Sequence, residues 1–206
     1  MIYPFFASFI IIIAVLAYKR KKASMANEKT EEAFWKREAE ANLVTRKPLD
    51  DLDYINVPFD TLPMDILTDD PKVADCIRMI KTYADKKTVN LTGFTNTDLK
   101  LQYGTLNLHL LTEYDANFTR LVSTLNTWAL CLKEHDYHNE AITVLEYAVS
   151  IRSDVSGTYR ELSAYYAAAG DKEKITRLIT VAEGLNSLMK NSIIKDLREK
   201  LVNSTT

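Results

Sequence analysis

Cys131, His135 and His138 are the residues whose types and spacing come nearest to metal chemistry. On a helix, Cys131 and His135 share a face at i, i+4, and His138 can fold back towards them after a turn. A zinc site needs a fourth ligand, and Glu134 or Glu140 is within reach. The spacing lacks the second Cys or His pair of recognised zinc motifs. A polar turn between two helices, next to a core thiol, explains the same residues. No other constellation stands out. There is no G-x-S-x-G, no H-E-x-x-H, no G-x-x-x-x-G-K-[ST] and no Asp/Asn calcium loop. The paired carboxylates Glu31-Glu32 and Asp69-Asp70 fall near helix starts or in polar segments, where the helix dipole and solvation account for them. The expectation is a protein that is not an enzyme and holds neither cofactor nor metal.

Composition narrows the classes further. The chain has 206 residues, 26 Lys+Arg against 28 Asp+Glu, and a net charge of -2. Near-neutral balance argues against a nucleic-acid partner held by bulk charge. Two Cys cannot staple a secreted mini-domain, so Cys76 and Cys131 read as reduced core thiols. Five Gly are too few for a doubly wound nucleotide-binding fold. Three Asn-x-Ser/Thr triplets, at Asn90, Asn117 and Asn203, are about what chance supplies and do not argue for glycosylation.

The elements that must position these residues begin with an uncharged run. Residues 1–18 read MIYPFFASFIIIIAVLAY, and Lys19-Arg20-Lys21-Lys22 follow. As a helix the run spans roughly 27 Å, short but sufficient for a hydrocarbon core of about 30 Å if Lys19 snorkels. Four cations after the run place the following chain in the cytoplasm and the N-terminus outside. A cleaved signal peptide is the rival reading. It lacks a positive n-region, and its weak cleavage match at Ser24-Met25-Ala26 lies beyond the basic cluster.

Residues 19–50 carry nine cations and six anions. Asn27 or Thr30 can cap a helix through Phe34, Trp35, Ala39 and Leu43 that stops before Pro48. It reads either as a segment lying on anionic headgroups or as a solvated stalk. Residues 51–71 then hold six Asp and no Lys or Arg, with Pro48, Pro58, Pro63 and Pro71 in or beside them. Each Pro removes a donor and extends its predecessor. Tyr54, Ile55, Val57, Phe59, Leu62 and Met64 are too apolar for a free linker, so the stretch reads as a strap along the domain, or else as an acidic docking strand.

From Asp69 the pattern is helical. Asp69 or Asp70 caps and Pro71 starts a helix burying Val73, Cys76, Ile77, Ile80 and Ala84. Leu99, Tyr103, Leu106 and Leu110 mark a second, kinked at Gly104, and Asp115 can cap a third carrying Leu121, Leu125, Trp128 and Leu132. A shift of 34 residues then superposes the chain on itself. Leu125 meets Tyr159, Trp128 meets Leu162, and Ala129 meets Ser163. Leu132 meets Tyr166, Ala141 meets Ile175, Leu145 meets Ile179, and Ala148 meets Ala182. Ile151 meets Leu185 and Ser153 meets Ser187. Two antiparallel helices and two turns use about this length.

These residues resemble the tetratricopeptide repeat over residues 122–189, with Gly170-Asp171 as its turn in the second copy. Departures are His135 where Gly is usual and Ser153 and Ser187 where Pro is usual. The resemblance implies an all-α superhelix of helix pairs, with repeats at about 122–155 and 156–189 and a capping helix at about 188–202. It would be preceded by a transmembrane anchor over 1–18 and a juxtamembrane helix and strap over 19–70. Within the domain at 71–206, residues 71–121 would cap the other end. The resemblance also implies that Asn126, Leu130, Lys133 and Arg160 line a concave, partner-binding face, although Leu130 stands where a carboxylate clamp needs a polar residue. The order of a short anchor, a Lys47–Ile55 strap and a helical domain is also similar to that of uncharacterised membrane-anchored bacterial proteins, a likeness that implies no activity.

The expected function is a membrane-tethered adaptor whose helical domain holds a protein or peptide at the membrane, with no small-molecule substrate. The alternative is a structural subunit packed permanently on another membrane protein through the strap at 51–64. A metal protein using Cys131, His135 and His138 is a third reading.

Overall fold

The computed structural model describes residues 3–203, with the side chains of residues 3–15, 17 and 23–27 outside the description. The fold is all-α. Its helices are α1 (Tyr3–Asn42), α2 (Pro71–Lys81), α3 (Asn96–Tyr103), α4 (Leu108–Glu134), α5 (His138–Ser150), α6 (Ser156–Ala168), α7 (Lys172–Glu183) and α8 (Lys190–Asn203). Among the described residues the β-structure is a lone antiparallel bridge between Tyr54 and Val89. No helix of the described residues is long and apolar enough to cross a membrane. The uncharged run at 1–18, on which the anchor expectation rests, lies almost wholly outside the described side chains. The chain divides into two compact units, Met1–Lys47 with Thr95–Leu108, and Pro48–Phe94 with His109–Thr206.

In the first unit α3 packs on the C-terminal end of α1. Ala41 is fully buried. Glu38 pairs with Lys100 and accepts the Thr97 hydroxyl, while Arg37 reaches Asp98 at 2.6 Å. Thr95 and Asp98 form a capping box at the start of α3. Asn107, fully buried, donates to the Lys47 and Tyr103 carbonyls and accepts from Arg46. Two expectations change here. No helix starts at Asn27 or Thr30, because α1 runs on to Asn42. Gly104 also ends a helix instead of kinking one. Its φ is 87°, and a Cβ there would overlap the Thr45 carbonyl. Only glycine fits.

In the second unit Asp70 caps α2, accepting from the Lys72 and Val73 amides at 2.9 Å, and Pro71 occupies the first turn. Val73, Cys76, Ile77 and Ile80 are buried, but α2 stops at Lys81 and the inward place expected for Ala84 is taken by Tyr83. The strap is free of helix. Val57 and Leu62 join the core, with Ile55, Phe59 and Met64 packed against it. Asp115 does not cap. It lies inside α4, and its carboxylate accepts from the Leu91 amide at 3.1 Å.

The 34-residue periodicity reappears in the backbone. α4 and α6 end at Glu134 and Ala168, and α5 and α7 begin at His138 and Lys172, each pair 34 apart. Both first helices close through the same turn. Tyr137 N–H bonds the Leu132 carbonyl at 3.0 Å, and Asp171 N–H bonds the Tyr166 carbonyl at 2.8 Å. The left-handed residue is Asp136 in one copy (φ 63°) and Gly170 in the other (φ 71°). Asp136 therefore holds the glycine position that the sequence pattern gave to His135. Ser153 and Ser187 also act alike, each accepting from the amide two residues on, at 3.2 and 3.1 Å. Leu125 and Tyr159, Trp128 and Leu162, Ala129 and Ser163, Ala141 and Ile175, and Ala148 and Ala182 are all within 2 % exposure of fully buried. Each large apolar member contributes about 1.5–3 kcal/mol. α8 packs on α6 and α7, with Ile193 and Leu197 1 % exposed.

Candidate functional site

Asn126, Leu130 and Lys133 follow one another along α4 at spacings of four and three, so they share a face. Arg160 lies on α6, and the two helices meet at Glu161. Lys133 Nζ lies 2.6 Å from Glu161 Oε2 and Arg160 Nε 3.2 Å from Oε1. The Glu161 side chain is only 12 % exposed, whereas those of Lys133 and Arg160 are 45 % and 65 % exposed. Burial opposes charge on Glu161. The hydrogen bonds from Lys133 and Arg160 outweigh it and hold the carboxyl below its ordinary range. The same bond raises Lys133. Two cations around one carboxylate leave a positive excess on this face. Leu130 is half-buried beside it.

Asn126 is placed differently. It faces Gly157, where a Cβ would lie 2.8 Å from its Oδ1, and that oxygen is buried without a hydrogen-bond partner. Asn126 therefore sits between helices, while Lys133 and Arg160 present their charge outward. Glu161 and Gly157 were not singled out from the sequence. Their signal is spacing on α6, one residue after Arg160 and three before it.

The candidate metal ligands diverge. Cys131 is buried and free. His135 Nε2 lies 3.4 Å from Asp70 Oδ2. His138 Nδ1 lies 3.3 Å from the Tyr165 hydroxyl, and its Nε2 3.7 Å from Asp136 Oδ1. Among the described residues no three His, Cys, Asp or Glu side chains gather as a metal cluster. Burial pushes the Cys76 thiol up to about 11 and raises Cys131 as well, so both are protonated, weak nucleophiles near neutral pH.

A second concavity was not legible in any motif. A cleft of about 370 Å³ opens between the strap at 53–56, the loop at 90–94 and the turns after α5 and α7. Asp53, Arg152, Asp154, Asn186 and the exposed Phe94 stand around it, and the buried Leu185 lies in its wall. Its walls are tied together. The Asn90 carboxamide donates to the Arg152 carbonyl at 3.2 Å and accepts from Thr92 N–H at 3.0 Å. Ser187 donates to Asp154 Oδ2 at 2.6 Å. Gly93, at φ 93°, lies so close to Asn186 that a Cβ would come within 2.7 Å of its carbonyl oxygen. No protein-family model, curated protein or solved structure matches the chain.

Proposed function

We propose that this protein is a membrane-tethered adaptor whose tetratricopeptide-like helix pairs hold a protein or peptide segment at the cytoplasmic side of the membrane. The observation that carries the reading is the pair of helix hairpins at a 34-residue interval, whose first helices, α4 and α6, bring Lys133 and Arg160 together on one face. Stacked helix pairs serve as extended binding surfaces. The positive excess around Glu161 and the half-buried Leu130 suit a segment with an acidic side chain beside an apolar one. The uncharged run at 1–18 and the basic cluster after it would supply the tether, and tethering lets a weak groove suffice by raising local concentration. The alternative of a structural subunit docked through the strap is less well supported, because Val57 and Leu62 are already spent on the chain's own core.

The test is a photo-crosslinking residue placed at Leu130 in the full-length chain, in its native membrane, with a second placed at the exposed Thr176 on α7 as control. The expected result is an adduct at position 130 alone that disappears with Lys133→Ala plus Arg160→Ala. Adducts of equal yield at both positions, or one indifferent to the double substitution, would overturn the reading. Deleting residues 1–18 should move the chain from the membrane to the soluble fraction.

A further inference from the structure

We propose that the cleft beside the strap binds a small zwitterion, a molecule of amino-acid to tripeptide size carrying a free ammonium and a free carboxylate. The site is distinct from the α4–α6 face and does not depend on the adaptor reading.

Charge selects the ligand class. The lining holds two carboxylates, Asp53 and Asp154, and one guanidinium, Arg152. The Lys87 ammonium lies 5.1 Å from the centroid of the Tyr54 ring, which forms part of the wall. A polyanion would meet both carboxylates, and a simple cation would meet Arg152. A zwitterion satisfies both signs. The C-terminal ends of α5 and α7 also meet this cleft, through Ser150 and Gly184. Their carbonyl-rich ends favour the ammonium group.

Arg152 is the residue that an architectural account leaves unexplained. It holds φ 59° at the close of α5, where its amide bonds the Val149 carbonyl and the Ser153 amide bonds that of Ala148. Glycine or asparagine is the usual occupant of such a position, because a Cβ is strained there. The arginine does not compensate by pairing. Among the described residues no carboxylate lies within ion-pair distance of its guanidinium, and none of the ion pairs involves Asp53. Asp154 commits Oδ2 to Ser187 and keeps Oδ1 available. Arg152 and Asp53 are both exposed, so in the free protein water solvates their charges and a ligand entering the cleft can reach them, Arg152 from a left-handed position at its rim. The Asn90 bridge and the close seat of Gly93 on Asn186 hold the opposite wall in place. The volume of about 370 Å³ accommodates a tripeptide and is roomy for a single amino acid.

The experiment titrates the full-length protein in detergent micelles by calorimetry. The probes are alanine, leucine, lysine and glutamate, their homotripeptides with free termini, and the same tripeptides acetylated and amidated. The expected result is binding by a free-ended probe, lost on capping. Binding by the tripeptides alone assigns a peptide source, and binding by the amino acids alone assigns a free metabolite. Arg152→Gly should weaken binding by about tenfold or more while raising the thermal midpoint of the protein, because it relieves the left-handed strain. Arg152→Gln should weaken binding equally without that rise. Failure of every free-ended probe, equal binding of capped probes, or full affinity in Arg152→Gly would overturn the proposal.

Discussion

Asp136 and Gly170 close α4 and α6 in the same left-handed conformation, and the difference between them isolates what a side chain costs there. Asp tolerates this backbone region better than most residues but less well than Gly. Asp136→Gly should therefore stabilise the protein by about 0.5–1 kcal/mol, seen as a higher urea midpoint. A Cβ at Gly170 would meet nothing within 4 Å. Gly170→Ala should thus show the conformational cost alone, about 1 kcal/mol. Glu161 makes a pH prediction. Its folded pKa lies below the unfolded value, so its contribution is complete above the ordinary carboxylate value of about 4.3 and is lost as pH falls through the folded one. Lys133 is raised, so its share is complete below about 10.4 and fades only as pH climbs through its folded value. Glu161→Gln should cost about 0.5–1 kcal/mol at pH 7. It should also flatten the acid limb of urea midpoints measured across a pH series.

At the scale of elements, α3 depends on its two ends. Asp98 is held down to about 2, first by the Thr95 hydroxyl, then by the Thr95 amide and Arg37. Its cap is therefore complete above the ordinary aspartate value near 4 and is lost as pH falls towards about 2. A carboxyl chemical-shift titration should show that low midpoint, and Asp98→Asn should loosen α3 at neutral pH. At the other end Gly104→Ala should cost more than about 2 kcal/mol, because strain and overlap with Thr45 add. Amide exchange of α3 would accelerate. Such ends explain what the sequence could and could not show. α2 and α5 to α8 were legible because apolar residues recur along them at helical spacing and their turns carry Asp70, Pro71 and Gly170. The break at Gly104 was not, because the backbone it touches lies near residue 45. Asp115 looked like a cap because its real partner, the Leu91 amide, sits in a distant loop. On the α4–α6 face, Lys133 and Arg160 were legible from the repeat, while Glu161 needed the packing of two helices to become visible. The cleft was invisible for the same reason, being assembled from loops separated by dozens of residues.

For the whole molecule, α8 covers one side of the pair formed by α6 and α7. It does so with Ile193 and Leu197 and turns Asn191, Lys195, Asp196, Arg198 and Glu199 outward. Two like hairpins in tandem have complementary ends, since whatever packs against one pair can pack against the next. Between separate chains that contact would be head-to-tail and would not close on itself, so it would grow into an open polymer. A charged outer helix terminates such growth. A chain ending at residue 188 should accordingly form a ladder of species that lengthens with concentration in sedimentation velocity. With α8 in place that route to a polymer is closed, and under the tethered-adaptor proposal any increase in valency would come from a bilayer that gathers copies together.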